Sequence, residues 1–495
     1  MDNPHDKVVI LSVPHMEGVG YVAVAPILLS ACLNKDNIPA VGLDFASEFR
    51  SHFSKFDDYS EITNWMCFGY LGFKSKRNIQ IIKFIDRYIN NIIVEHNPTY
   101  IGLSAFTDQS LTFLELLAGR IRKISPDTKI ILGGHGLENI NKLTDLPYYE
   151  SYYHANVADL IIVGDAEFSL VTAIKENKRG LIMSHPQTSK ELNEIPIPNW
   201  KESIKLVDTA NLKYATVTAS KGCVRNCTFC DVASYWPKYI FRDGATVATE
   251  IATIYNETGI KEFVFTDNLI NGSVSNYRKL NNKLLELLPP NTIEYSGYAI
   301  FRASSTMPES DFALAAQAGN TQWNVGVETG SQRVRYEMKK NFTNLDLDHS
   351  VKMLFKYKIK QRWLMIVGYP SETDSDFEES LSLLRQYAYM AKDNLLSILV
   401  TKPFMALDNS PIFDHFTMLQ DSSDKWRQHF WVCKENPSNT FEVRATRWHR
   451  IYALIAELGI PWGEPALATA WKFELMNMEK FYHEQYKKSD SPLPY

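Results

Sequence analysis

The sequence predicts an α/β protein: two strand–helix series in succession, then a mainly helical cap. Three observations lead there. Between residue 7 and about residue 180, short apolar runs such as 8–13 and 100–105 alternate with helical periodicities, the pattern of a doubly wound, Rossmann-like sheet. A second alternation starts at Tyr214 and runs through six strand–helix units, as in a partial (β/α)6, TIM-like barrel. Beyond Phe404 the strand signals give way to helical patterning rich in aromatics. The expected domains are therefore 1–184, a linker at 185–213, 214–403, and a cap at 404–495.

Taken in order, the first series reads as strand 8–13, helix 22–33 and strand 40–45. Residues 46–76 are polar and aromatic without clean periodicity and read as an excursion. Ile79, Ile82, Phe84, Ile85, Ile89, Ile92 and Ile93 mark an apolar helix that stops before Asn97-Pro98. Strand 100–105, helix 111–124 and strand 129–132 follow, the last ending in Gly133-Gly134. Strand 160–163 leads to Gly164 and a helix from Glu167. The Pro-rich stretch 186–200 reads as linker. The strands of the second series are 214–220, 262–266, 293–299, 323–328, 363–368 and 395–401. In the cap, helical patterns cover 447–458 and 466–486, the aromatics Trp426, Phe430, Trp431, Trp448, Trp462, Trp471, Phe481 and Tyr482 read as core in preference to a substrate box, and 487–495 reads as a frayed tail.

With 495 residues, 45% hydrophobic and 22% charged, the chain has ordinary globular make-up. A formal charge of −5 gives no bulk electrostatic case for a nucleic-acid or membrane surface. The opening MDNPHDKVVILSV lacks the basic and apolar regions of a signal peptide. The longest uncharged run, 19–33, is shorter than the roughly 20 residues that span a bilayer. The expected setting is the cytoplasm, where the scattered Cys32, Cys67 and Cys433 read as small buried apolar residues.

The chemistry concentrates at residues 221–231, KGCVRNCTFCD, which hold half of the six cysteines. Cys223, Cys227 and Cys230 stand at C-x3-C-x2-C spacing after the first strand of the second series, at the face where such folds bind ligands. Clustered thiolates call for a soft metal, namely zinc, copper(I) or an iron–sulfur cluster. Structural zinc takes a fourth Cys or His close by; here the next His is His349 and the next Cys is Cys433.

With Phe229 before Cys230, the loop resembles the cluster loop of the radical S-adenosylmethionine (SAM) enzymes. Further motifs resemble the branch with an N-terminal cobalamin-binding domain, over about the first 400 residues. These are Arg242 with Glu250-Ile251, Phe265-Thr266-Asp267-Asn268, Arg302, GVETGS at 326–331 with Arg335, and GYPSET at 368–373. The turns Gly133-Gly134-His135 and Gly164-Asp165-Ala166-Glu167 resemble the branch's first domain. The resemblance implies a [4Fe–4S] cluster on Cys223, Cys227 and Cys230. It implies SAM contacts at Phe229, Asp267, Asn268, Arg302, Glu328, Ser331 and Arg335. Cobalamin contacts would fall at Ser104, Thr107, Gly133, Gly134 and Gly164. His15 stands where other cobalamin proteins place a lower cobalt ligand, but the aspartate that would orient it is missing from Val13-Pro14-His15-Met16-Glu17-Gly18. Water or no lower ligand is therefore expected.

The implied function is a cobalamin-dependent radical SAM methyltransferase. It would use SAM and methylcobalamin to methylate an unactivated carbon of a small biosynthetic intermediate, with an external one-electron reductant of flavodoxin or ferredoxin type. A non-methylating rearrangement or cyclisation is the alternative on the same cofactors. Methylthio transfer would need three N-terminal cysteines, where this chain has Cys32 and Cys67. A cobalamin or redox sensor would not need an ordered SAM pocket.

Overall fold

The computed structural model describes residues 7–14, 24–59, 61–62, 77–107, 110–141, 144, 146–185, 188–201, 214–419 and 426–486. The chain divides into two compact units, residues 1–216 with 253–262 and residues 217–252 with 263–495. No described helix is long and apolar enough to cross a membrane.

The first unit is built on six parallel strands: β1 (Val8–Ser12), β2 (Ala40–Leu43), β3 (Tyr100–Ser104), β4 (Lys129–Gly133), β5 (Leu160–Gly164) and β6 (Gly180–Ser184), in the order β2-β1-β3-β4-β5-β6. All five residues of β1 are buried, as expected of a strand covered on both faces. The chain steps from β1 out to β2 and returns to β3 on the other side. The direction of winding therefore reverses between β1 and β3, and ligands of such sheets bind at that switch point. Register sets Ser12 beside Ser104 and Ser104 beside Gly133 along this carboxyl edge.

Two expectations for this half are corrected. Part of the excursion is a helix, α1 (Phe45–Phe53). Asp44 caps it, accepting from the Ser47 amide and from Ser12 Oγ at 2.7 Å. Phe45, Phe49 and Phe53 recur every fourth residue, so all three rings fall on one buried stripe against Phe84 and Phe113. The linker stretch also packs: residues 189–193 are helical, and Leu192 and Trp200 are 0% and 1% exposed. Cys67, residues 202–213 and the tail lie outside the described residues.

A second sheet, with β9 to β12 wholly in the second unit, is formed by β7 (Tyr214–Val217), β8 (Glu262–Phe265), β9 (Glu294–Ala299), β10 (Asn320–Glu328), β11 (Lys360–Met365) and β12 (Leu396–Leu399), hydrogen-bonded in strict sequence order. The sheet is open, with β7 and β12 as its edges. Burial alternates along its strands. The inward set includes Trp323, packed on Tyr277 and Phe312, and Trp363, packed on Tyr387, so this face is covered by helices. The intervening positions are less buried and include polar residues as well as Val264, Leu364 and Leu399. Tyr298, Asn324, Arg362 and Ser397 stand in one cross-strand row. The cap belongs to this unit and is not wholly helical. Two antiparallel strands, β13 (Phe416–Met418) and β14 (Trp431–Cys433), precede helix α2 (Phe441–Glu457). Residues 461–463 bond to the outer edge of β12, Ile398 N donating to Pro461 O and Gly463 N to Ile398 O, which blunts an exposed strand edge.

Candidate cluster and SAM site

The cysteine loop is closed at its base by a small antiparallel pair, residues 220–221 against 240–241. Gly222 has φ +75°, and a Cβ there would overlap the Lys238 carbonyl, so the turn requires glycine. Beyond it Cys227 is buried, while Cys223 and Cys230 are half-buried. The Arg225 amide points at Cys223 Sγ at 3.4 Å. Three elements hold Thr228. Its amide donates to Met338 O, its carbonyl accepts from Ile412 N, and its hydroxyl lies 2.8 Å from Tyr369 Oη. Phe229 packs against the cluster of Val334, Met338, Tyr369, Phe404 and Trp431.

Burial pushes the Cys227 thiol up to about 11, with the charge of Lys340 opposing it, and burial also raises Cys230. Metal-free, these two are therefore neutral thiols, and a metal must displace their protons to bind. An iron–sulfur cluster engages its cysteines on separate irons, and three soft thiols on one short loop suit it. The charges around the loop are mixed: Lys340 acts on all three sulfurs and Arg302, its pKa lowered by burial and by neighbouring Arg225, acts on Cys223, while Asp231 acts on Cys230 and Glu328 on Cys227.

The other expected SAM residues divide by what they touch. Asp267 is 1% exposed and accepts from Ala219 N at 2.9 Å and Ser220 Oγ at 2.5 Å. Burial pushes its carboxyl up to about 7 against those hydrogen bonds. It ties the end of β8 to the chain entering the cysteine loop. Asn268, beside it in the turn, is half-buried. Arg302 Nη2 donates to the carbonyls of Asn271 and Gly272. Arg242 and Glu250 form a buried ion pair at 2.6 Å, and Arg242 also supports Thr218 O.

Ser331 and Arg335 are turned inward. Ser331 Oγ donates to Asp376 at 2.6 Å. Arg335 is 0% exposed, donates to Thr329 O and Asn344 Oδ1, and lies over the Phe342 ring. A sequence motif cannot tell a ligand-facing hydroxyl or guanidinium from one that tertiary partners already occupy. Glu328 is held by Lys340 at 2.7 Å. Lys340 was missed, because Lys339-Lys340 reads as solvated surface charge.

Asp376 yields a pH prediction. Burial raises its pKa, but hydrogen bonds from Arg333, Ser331 and Thr373 outweigh that and leave it well below the usual carboxylate range. The folded state thus binds this proton less readily than the unfolded chain. The stabilisation is complete above the unfolded value of about 3.9 and is lost as pH falls toward the lower folded value. Urea midpoints measured from pH 5 downward should fall less steeply for Asp376→Asn than for the native chain.

In the first unit, Ser104 ends β3 half-buried. The hydroxyls of Thr107 and Ser110 are buried without a hydrogen-bond partner among the described residues. Unsatisfied buried polar atoms at a sheet's switch point suit a polar ligand tail. Two of the three glycines are also required by the fold. A Cβ at Gly134 would overlap the Ala105 carbonyl and one at Gly164 the Ser184 carbonyl, both at positive φ. The close approach seen is of protein backbone. His15 lies outside the described residues.

Residues 217–384 match the Radical SAM superfamily. Over most of its length the chain is similar to the methyltransferase TsrM from Kitasatospora setae with cobalamin and a [4Fe–4S] cluster bound (TM-score 0.57, 16% identity, 82% of this chain and 77% of that one). It is also similar to the cobalamin-dependent SAM radical enzyme OxsB with aqua-cobalamin bound (TM-score 0.62, 15% identity, 90% and 66%). Residues 217–384 are thus similar to the Radical SAM superfamily, and the chain as a whole shares the fold of these two cobalamin-dependent enzymes. Among relatives, cytidylyl-2-hydroxyethylphosphonate methyltransferase of Streptomyces wedmorensis is 24% identical over 348 residues, 61% of this chain and 64% of the relative. A tRNA-2-methylthio-N(6)-dimethylallyladenosine synthase of Stutzerimonas stutzeri is 30% identical over 183 residues, 35% and 40%. The chain spans less than two thirds of the length of either. The region that matches the Radical SAM superfamily begins at Val217, just before the three-cysteine loop.

Proposed function

We propose that this protein is a cobalamin-dependent radical SAM methyltransferase acting on a carbon of a small biosynthetic intermediate. The observation that carries the reading is the three-thiol loop beside Lys340 and Arg302, with no fourth Cys or His close by in the sequence. When bound, a [4Fe–4S] cluster would supply the electron that cleaves SAM, and cobalamin would carry the methyl group. Cys223, Cys227 and Cys230 would hold the cluster. Asn268, Arg302 and Phe229 would face SAM, while Asp267, Ser331 and Arg335 fix the segments around it. Ser104, Thr107, Gly133, Gly134 and Gly164 would border the cobalamin groove, with the Thr107 hydroxyl the free donor. The polar row Tyr298, Asn324, Arg362 and Ser397 would offer hydrogen bonds to a small substrate. An external flavodoxin- or ferredoxin-type protein would supply electrons.

A second reading keeps the cofactors and changes the outcome to a rearrangement or cyclisation. Its support is the likeness to OxsB, whose name gives cobalamin and SAM without methyl transfer. Anaerobic turnover of candidate substrates with deuterated-methyl SAM separates the two. Methyl transfer is expected to leave the deuterium label in the product; a converted product without the label would favour the second reading.

A further inference from the structure

Gly326, Glu328 and Lys340 form a buried charged unit beside the cysteine loop. Lys340 and Glu328 are 8% and 6% exposed, with Nζ 2.7 Å from Oε1. Several features of the backbone are shaped around this pair. Glu328 has φ +64° where the β10–β11 register shifts, a conformation that is costly for a non-glycine residue. Lys339 and Asn341 have φ +57° and +48°, so the chain turns sharply on both sides of Lys340. A Cβ at Gly326 would overlap both the Glu328 carboxylate and the Lys340 ammonium. The glycine leaves the space that the two charges fill.

The pair faces the metal loop. Lys340 Nζ lies over the Phe229 ring, 5.9 Å from its centre, and Thr228 N bonds to Met338 O, two residues before Lys340. A buried cation without a purpose would be expensive, since desolvating an ammonium costs several kcal/mol even when it is paired.

We propose that Lys340, restrained by Glu328, sets the reduction potential of the group bound by Cys223, Cys227 and Cys230. It is a positioning residue for charge and not a metal ligand. The inference rests on the cluster reading above. One-electron reduction adds negative charge to a centre already bound through anionic thiolates. A fixed cation in a low-dielectric surrounding favours the reduced form, and a carboxylate beside that cation offsets part of the effect.

The two partners therefore predict shifts of opposite sign. The test is a potentiometric titration, read by electron paramagnetic resonance, of anaerobically reconstituted full-length protein without SAM. Lys340→Met and Lys340→Gln should move the midpoint to more negative potential, Lys340→Arg should stay near the native value, and Glu328→Gln should move it positive. Packing damage alone would lower cluster content without opposite shifts. Unchanged midpoints at native iron content, or shifts of one sign, would overturn the role of Lys340, including the case where only SAM affinity falls. If the native protein forms no four-iron cluster, both this inference and the cluster reading fall.

Discussion

Replacing Cys223, Cys227 or Cys230 with alanine is expected to remove iron from the protein, from about four irons per chain to a small residue. Cys227 should show the effect most cleanly. It is the buried member of the three, and Thr228 beside it is held by Met338, Tyr369 and Ile412. The loop therefore keeps its course when the sulfur is gone. Iron and sulfide analysis after anaerobic reconstitution, with the visible absorbance, reads the result. Each variant should stay folded, because these thiols contribute little to the core. Full iron in any of the three would remove the loop as the metal site.

Arg444→Ala is expected to cost the fold about 3–5 kcal/mol. Arg444 is 0% exposed and stacks on Trp431 at 3.5 Å. Its guanidinium donates to the carbonyls of Asn439, His429 and Trp431, and burial pulls its pKa down to about 9. Truncation leaves three buried acceptors without donors and a large void. Arg444→Met fills much of the void but satisfies none of the carbonyls, so it should recover only part of the loss. The consequence reaches the site. Asn439 Nδ2 donates to the carbonyls of Tyr369 and Pro370, and Arg447 pairs with Glu372 at 3.0 Å. The cap thus clamps the turn that carries Tyr369, whose hydroxyl meets Thr228. Arg444→Ala should lower both the urea midpoint and the iron retained after reconstitution; a native midpoint would contradict this account of the cap.

Where burial follows simple periodicity, the sequence was a good guide. The unbroken run at β1 appears as expected, because a buried parallel strand leaves a direct hydrophobic imprint, whereas β11 is found at Lys360–Met365, three residues before the expected 363–368. The α1 helix was missed: the Asp44 cap and the four-residue spacing of Phe45, Phe49 and Phe53 mark it, but abundant polar neighbours hid that pattern. β6 was not legible. Its residues are only half-buried or exposed, so an edge strand carries no strong apolar pattern. At the site, the cysteines announce themselves by spacing. The inward turn of Ser331 and Arg335, and the pairing of Glu328 with Lys340, depend on partners 9 to 45 residues away, which no local pattern encodes.

The central claim is that the three-cysteine loop supports reductive cleavage of SAM. The direct test is to incubate anaerobically reconstituted protein with SAM and dithionite and to measure 5′-deoxyadenosine and methionine. The native protein should form 5′-deoxyadenosine, and the Cys223→Ala, Cys227→Ala and Cys230→Ala variants should form none above background. Equal 5′-deoxyadenosine from native protein and variants would contradict the account, as would its absence from native protein carrying a full complement of iron.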